Sequence, residues 1–158
     1  MGDSAPVEPA PDESGGTFTV TQLTGSFEAF GLTADFLSRV PPYSGFDLGN
    51  FARALRRQLN TAQHVAAIAD MKLVGYCGWL KTPTALAEAW VKGEATLTPD
   101  EGADAAALTV VAANDRRILL ALIRRARALN PGIRIYFKRD YAGARQAARK
   151  SSVLNIAG

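Results

Sequence analysis

The sequence predicts one α+β domain, a mixed and mostly antiparallel sheet flanked by helices. Three observations lead there. Two β-rich runs, residues 61–69 and 73–80, are joined by the short polar stretch Asp70-Met71-Lys72 and read as a hairpin. Helical apolar spacing precedes them and returns over residues 116–129, where Ile118, Leu119, Leu122, Ile123, Ala126 and Leu129 make a broad buried face. The strands are grouped ahead of that one crossover helix, which argues against a doubly wound parallel sheet. At 158 residues, 47% hydrophobic and 21% charged, the chain is long and apolar enough to bury a core.

Residues 1–16 hold three prolines, four acids and no base, so they predict a disordered tail ahead of a domain over 17–158. Residues 17–24 (TFTVTQLT) alternate as a short strand does. From Ser26 to Arg39, Phe27, Phe30, Ala34 and Leu37 fall at helical spacing, and Pro41-Pro42 then forces a loop. Asp47 is placed to cap a second helix with the stripe Leu48, Phe51, Leu55 and Leu59. Residues 84–92 read as a helix and 104–113 as a buried strand. Asn114 or Asp115 caps the long helix, and Asn130-Pro131-Gly132 ends it. Residues 133–138 (IRIYFK) make a last strand, with a weaker helix or turn over 140–150 and a short tail beyond.

Several function classes are disfavoured at once. No apolar run reaches the roughly 18 residues of a membrane span, and the acidic start does not resemble a secretory signal. Cys77 is the one cysteine and His64 the one histidine, so neither an internal disulfide nor a Cys/His metal cage is expected. The expectation is a cytoplasmic protein with no bound metal or cofactor; oligomeric state, a homodimer included, stays open. The modest net charge of +3 conceals a polarity: residues 1–115 carry 7 Lys/Arg against 14 Asp/Glu, and residues 116–158 carry 11 against 1. So basic a segment favours an anionic partner, unless it is only a solvated face. Tyr136, Phe137 and Tyr141 interleave the charge, but the apolar side chains of IRIYFK read as strand core, which argues against nucleic acid.

The element order resembles the acyl-CoA-dependent N-acetyltransferase superfamily, a GNAT-like fold in which the sheet splays to admit an acyl donor. Those enzymes cradle pyrophosphate on a Gly-rich turn before the central helix. Here the junction reads Val110-Val111-Ala112-Ala113-Asn114-Asp115-Arg116-Arg117, with no glycine between Gly102 and Gly132 and an acid where phosphate would sit. Coenzyme A binding of the usual kind is disfavoured. No Walker loop, dinucleotide fingerprint or Gly-x-Ser-x-Gly elbow occurs either.

Phe27-Glu28-Ala29-Phe30-Gly31, Leu37, the Pro41-Pro42-Tyr43 loop, Phe46, Phe51 and above all Gly75-Tyr76-Cys77-Gly78-Trp79 resemble the RTX toxin-activating lysine acyltransferases. The similarity runs from Phe27 to Leu80 and continues through Leu108–Ala113 and Ile133–Asp140. It implies an acetyltransferase-like fold without the coenzyme A loop. It also implies an acyl-acyl carrier protein as donor and a lysine of an RTX-type protein as acceptor. Acyl carrier protein is acidic, and the resemblance makes Arg116, Arg117, Arg124, Arg125, Arg127, Lys138 and Arg139 its docking candidates.

At the two positions where that family carries a catalytic His and an assisting Asp, this chain has Tyr43 and Thr109. Attack by lysine on a thioester needs a base near neutrality, and a tyrosine is ionised to only about one part in a thousand at pH 7. Tyr43 is better suited to protonate the leaving thiolate. His64 is a weaker candidate base, since its predicted strand position suits the core. Cys77 is a conceivable nucleophile that equally fits a structural strand, and Asp47 and Asp104 are candidate replacement acids that nothing singles out. The alternative is a catalytically silent relative that serves as a binding or regulatory module.

Overall fold

The structure, a computed structural model, describes residues 16–139 and 150–154. Ten elements follow in order: β1 (Thr19–Thr21), α1 (Phe27–Leu37), α2 (Leu48–Asn60), β2 (His64–Ala69), β3 (Lys72–Thr82), α3 (Thr84–Lys92), β4 (Ala105–Ala113), α4 (Arg116–Leu129), β5 (Arg134–Arg139) and β6 (Lys150–Leu154). The strands form one six-stranded sheet in sequential order, antiparallel everywhere except between β4 and β5, which α4 joins as a parallel crossover. The α+β class and the mixed sheet follow the sequence reading. Most of the predicted tail, residues 1–15, and the predicted helix or turn over 140–149 lie outside the described residues.

Helix starts obey capping chemistry. Ser26, Asp47 and Asp115 each accept the otherwise unpaired N–H three residues on, from Ala29, Asn50 and Ile118. Between the first two caps the chain makes a single 3-10 turn, Tyr43–Gly45, after the two prolines.

Two cores lie on opposite faces of the sheet. On one, α4 presents Ile118, Leu122 and Ala126 to Val65, Cys77, Trp79, Leu108, Ile135 and Phe137. On the other, α1 and α2 bring Phe36, Leu37, Leu55 and Leu59 onto Ala66, Tyr76, Val110 and Ala112. Gly75 and Gly78 serve opposite faces of β3. A methyl group at Gly75 would press on Ile118 and Leu122, and one at Gly78 would overlap the Gln58 carboxamide.

Four expectations are corrected. Leu48 and Phe27 do not join the buried faces of their helices; each is the first residue of its helix, and they are 77% and 80% exposed. Strand β2 begins at His64 rather than Thr61, since Ala62 turns through a positive φ of 54°. The hairpin turn is tighter than Asp70-Met71-Lys72: Lys72 already pairs with Ala69, and Asp70 and Met71 take φ of 49° and 61°, the signs a two-residue turn needs. Finally, residues 150–154 are not tail but strand β6, paired with β5 from Arg139↔Lys150 to Ile135↔Leu154. Among the described residues, no helix is long and apolar enough to cross a membrane.

Candidate active site

Strands β4 and β5 pair only from Ala105↔Arg134 to Leu108↔Phe137, although β4 runs on to Ala113. Beyond that point the sheet is open along the β4 edge. The parting begins beside a bulge. Gly78 pairs with Val110 and Trp79 with Leu108, leaving Thr109 as the extra residue. The bulge leaves the consecutive residues Thr109 and Val110 both on the α1/α2 side of the sheet, where Thr109 Oγ1 accepts a 2.7 Å bond from Gln58 Nε2.

Tyr43 reaches the same strand. Its hydroxyl accepts from Val111 N–H at 2.9 Å and donates to Val111 C=O at 3.2 Å. One side-chain group thus satisfies two edge groups of β4 that a neighbouring strand would otherwise take. The Tyr43 ring packs edge-on against Phe46, which packs in turn against Phe51, so the loop between α1 and α2 carries an aromatic wedge. The two positions singled out by the family resemblance, Tyr43 and Thr109, are therefore brought to one segment of β4, two residues apart in their points of contact.

Gln58 organises the buried floor. It is 2% exposed, and besides bonding Thr109 it accepts from the Tyr76 hydroxyl at 3.0 Å. Burial pushes that phenol well above its ordinary value, with Cys77 a smaller contribution, so Tyr76 stays a neutral donor. The Gln58 main-chain carbonyl lies 3.0 Å from His64 Nδ1, while Leu23 N–H donates to His64 Nε2 at 2.8 Å. That pair of bonds requires the neutral Nδ1–H tautomer. Burial lowers the His64 pKa, opposed more weakly by the Gln58 carbonyl at Nδ1. The ring is fully buried, stacks on Tyr76 at 5.8 Å, and has both nitrogens occupied by the main chain. In this position it holds the fold and has no nitrogen available to take a proton from a substrate.

Cys77 faces the other core, completely buried, with its thiol pushed up to about 12 by burial. Asp47 caps α2, and Asp104 accepts from Thr84 N–H at the start of α3.

Beside Thr109 opens a cleft of about 450 Å³ between α2, β4, β5 and the segment after α3. Gln58, Thr109, Trp90 and Leu80 line it, with Arg57 and Lys138 as its charged side chains. Lys138 Nζ stands 4.5 Å above the Trp90 ring. Sequence reasoning missed Gln58. Its signal was a polar residue at the seventh position after Phe51 and the third after Leu55, inside the apolar face of α2.

The basic residues divide. Arg116, Arg117, Arg124, Arg125 and Arg127 are exposed on α4, on one side of the sheet. Lys138 lies on the other side, since Ile135 and Phe137 take the α4 face of β5 and alternation turns Lys138 to the cleft. Arg139 pairs with Lys150 in the sheet. At the start of α4, the Asp115 carboxylate takes the Ile118 N–H at 2.9 Å and lies 3.7 Å from Arg117, whose guanidinium sits over Phe18 at 5.9 Å.

No protein-family profile matches the sequence, and no curated protein is found as a relative. Solved structures do match. The mosquito arylalkylamine N-acetyltransferase-like 5b shares 12% identity over 77% of this chain and 76% of its own, with a TM-score of 0.57. The loading GNATL domain of CurA from Lyngbya majuscula shares 12% over 82% of this chain and 69% of its own, with a TM-score of 0.53. With its sequential mixed sheet, its crossover helix and its parted β4 and β5, this chain has the fold of the GNAT-type N-acetyltransferases.

Proposed function

We propose that this protein belongs to acyl-transfer chemistry, taking an acyl group as a thioester from an acidic acyl carrier protein and passing it to a lysine of a second protein. The observation that carries the reading is the parting of β4 and β5 beyond Leu108 and Phe137, with Thr109 bulged into the cleft beside it. An open strand edge pairs readily with an extended ligand arm, and the cleft lies within the size range of small-ligand sites. The RTX toxin-activating resemblance supplies the donor and acceptor classes.

The reaction forms an N–C bond and breaks the C–S bond; the ammonium must first lose a proton and the departing thiolate gain one. Tyr43 suits the second task. An arm that pairs with β4 competes for Val111 N–H and C=O, and displacing the Tyr43 hydroxyl from them frees it to protonate sulfur. A carrier protein is favoured over coenzyme A by the acid at the start of α4. Asp115 already satisfies the helix terminus and places a negative charge where pyrophosphate would go. The arginines of α4 offer the acidic carrier a cationic face, and such a donor places the reaction in the cytoplasm.

A specific observation favours a second reading, a catalytically silent binding module. Among the described residues lining the cleft there is no His, Asp or Glu to serve as base, and both nitrogens of His64 are occupied. Mass spectrometry separates the two. Incubation with acylated carrier protein and a lysine-rich acceptor adds one acyl chain to the acceptor if the protein is an enzyme. No transfer together with salt-sensitive carrier binding identifies the silent module. Equal transfer from acyl-coenzyme A overturns the carrier assignment.

A further inference from the structure

Helix α4 carries five arginines and no acid. Arg117 is engaged by Asp115 and Phe18, but Arg116, Arg124 and Arg125 are exposed and make no ion pair with any described residue. Arg116, Leu120 and Arg124 recur every four residues, so they form one stripe on the side of α4 turned away from Ile118, Leu122 and Ala126. Leu120, 48% exposed, gives that stripe an apolar centre between two cations.

The described chain starts beside this stripe. Gly16 lines a hollow of about 510 Å³ together with Asp70, Asp115, Arg116 and Arg117 at the first turn of α4. The two acids offset part of the positive charge there, so the excess grows along the helix toward Arg124 and Arg125. Residues 1–15, immediately before Gly16, hold Asp3, Glu8, Asp12 and Glu13 with no Lys or Arg. At up to about 3.5 Å per residue they can reach about 50 Å, against roughly 21 Å for a helix of 14 residues. Asp12 and Glu13 are thus within reach of Arg116, and Glu8 within reach of Arg124 and Arg125. Being tethered, the segment meets α4 at an effective concentration in the millimolar range, an advantage that no acidic partner in free solution shares.

We infer that residues 1–15 dock on the Arg116–Leu120–Arg124 stripe of α4 and occupy this cationic face within the same chain. The contact is independent of any reaction. Its consequence, competition with an acidic carrier for the same arginines, rests on the acyl-transfer reading.

The test uses the full chain. Cys77 is buried, so Ser4→Cys offers the accessible thiol for a nitroxide label, and the α4 amide signals report its approach. At low salt the amides of residues 120–125 are expected to broaden, and to recover at about 1 M salt, where charges are screened beyond about 3 Å. Broadening should be lost in Asp3→Asn/Glu8→Gln/Asp12→Asn/Glu13→Gln and reduced in Arg116→Gln/Arg124→Gln. No broadening at low salt, broadening unchanged in either variant, or broadening passed from a labelled chain to a second copy overturns the proposal. Neutralising the four acids should also tighten the binding of acidic acyl carrier protein about threefold or more, one displaced surface charge pair being enough. Broadening without that gain upholds the docked segment and counts against α4 as the carrier's site. No broadening, with carrier binding that needs Arg116 and Arg124, overturns the docking and leaves the transfer reading standing.

Discussion

The hydroxyl of Tyr43 holds both main-chain groups of Val111, at 2.9 Å from the nitrogen and 3.2 Å from the oxygen. A loop residue thereby stands in for a strand partner just where β5 has left β4. The relationship makes Tyr43 a structural clasp, at the position where the family it resembles carries a histidine.

Removing the hydroxyl therefore has a definite cost. Tyr43→Phe leaves a half-buried N–H and C=O without this partner and should lower stability by about 1–2 kcal/mol in urea denaturation. The double variant Tyr43→His/Thr109→Asp installs, at the same segment of β4, the pair carried by the family that the sequence resembles. Acyl transfer should appear in it or rise; a folded but inert double variant counts against the assignment of these two positions.

Gln58 and Gly78 form a coupled pair. Gly78→Ala drives a methyl group into the Gln58 carboxamide and should cost about 1–3 kcal/mol. Gln58→Ala alone strands the buried Tyr76 hydroxyl, at a similar cost of about 1–3 kcal/mol. Made together, the changes remove each other's clash, so the loss should fall short of the sum by about 1 kcal/mol or more. Strict additivity would show that the two groups do not touch.

His64 predicts a pH dependence. Its folded pKa lies below the ordinary 6.5, because burial disfavours the imidazolium. The unfolded chain therefore binds a proton that the folded chain refuses, and stability rises with pH across that window. The contribution is fully present above about pH 7 and declines as pH falls through 6.5. Urea midpoints between pH 7.5 and 5.5 should show this decline, and His64→Gln should flatten it. A wild-type profile that is flat down to pH 5.5 would mean that the imidazole is as solvated in the folded protein as in the unfolded chain.

Cys77 should be inert in the folded protein. Its thiol, at about 12 and wholly buried, is almost never the nucleophilic thiolate at neutral pH. An aromatic disulfide reagent should titrate one thiol in denaturant and none within minutes without it. Rapid labelling of the native chain, or loss of transfer in a folded Cys77→Ser variant, would reopen the cysteine as an acyl carrier.

Local chemistry explains how much of the architecture the sequence reveals. Three of the helix starts follow from one capping side chain each, Ser26, Asp47 and Asp115, and the hairpin from the β-rich runs on either side of Asp70 and Met71. Such signals involve neighbours within four residues and survive without any knowledge of the rest of the chain. Strand β6 gave no comparable signal, because Lys-Ser-Ser-Val-Leu becomes a strand only by pairing with β5.

The sequence by itself determined the class of fold, the order of its elements as far as β5, the absence of a Gly-rich cradle and the basic character of the last quarter of the chain. Only the tertiary structure decided that Thr109 is the bulged residue, that Gln58 ties it to Tyr76, and that Lys138 faces away from the arginines of α4. The reason is geometric. Strand register, a one-residue bulge and the side of a sheet on which a residue emerges are set by partners about 20 to 70 positions distant in the chain, and a linear pattern carries no record of which partner is met.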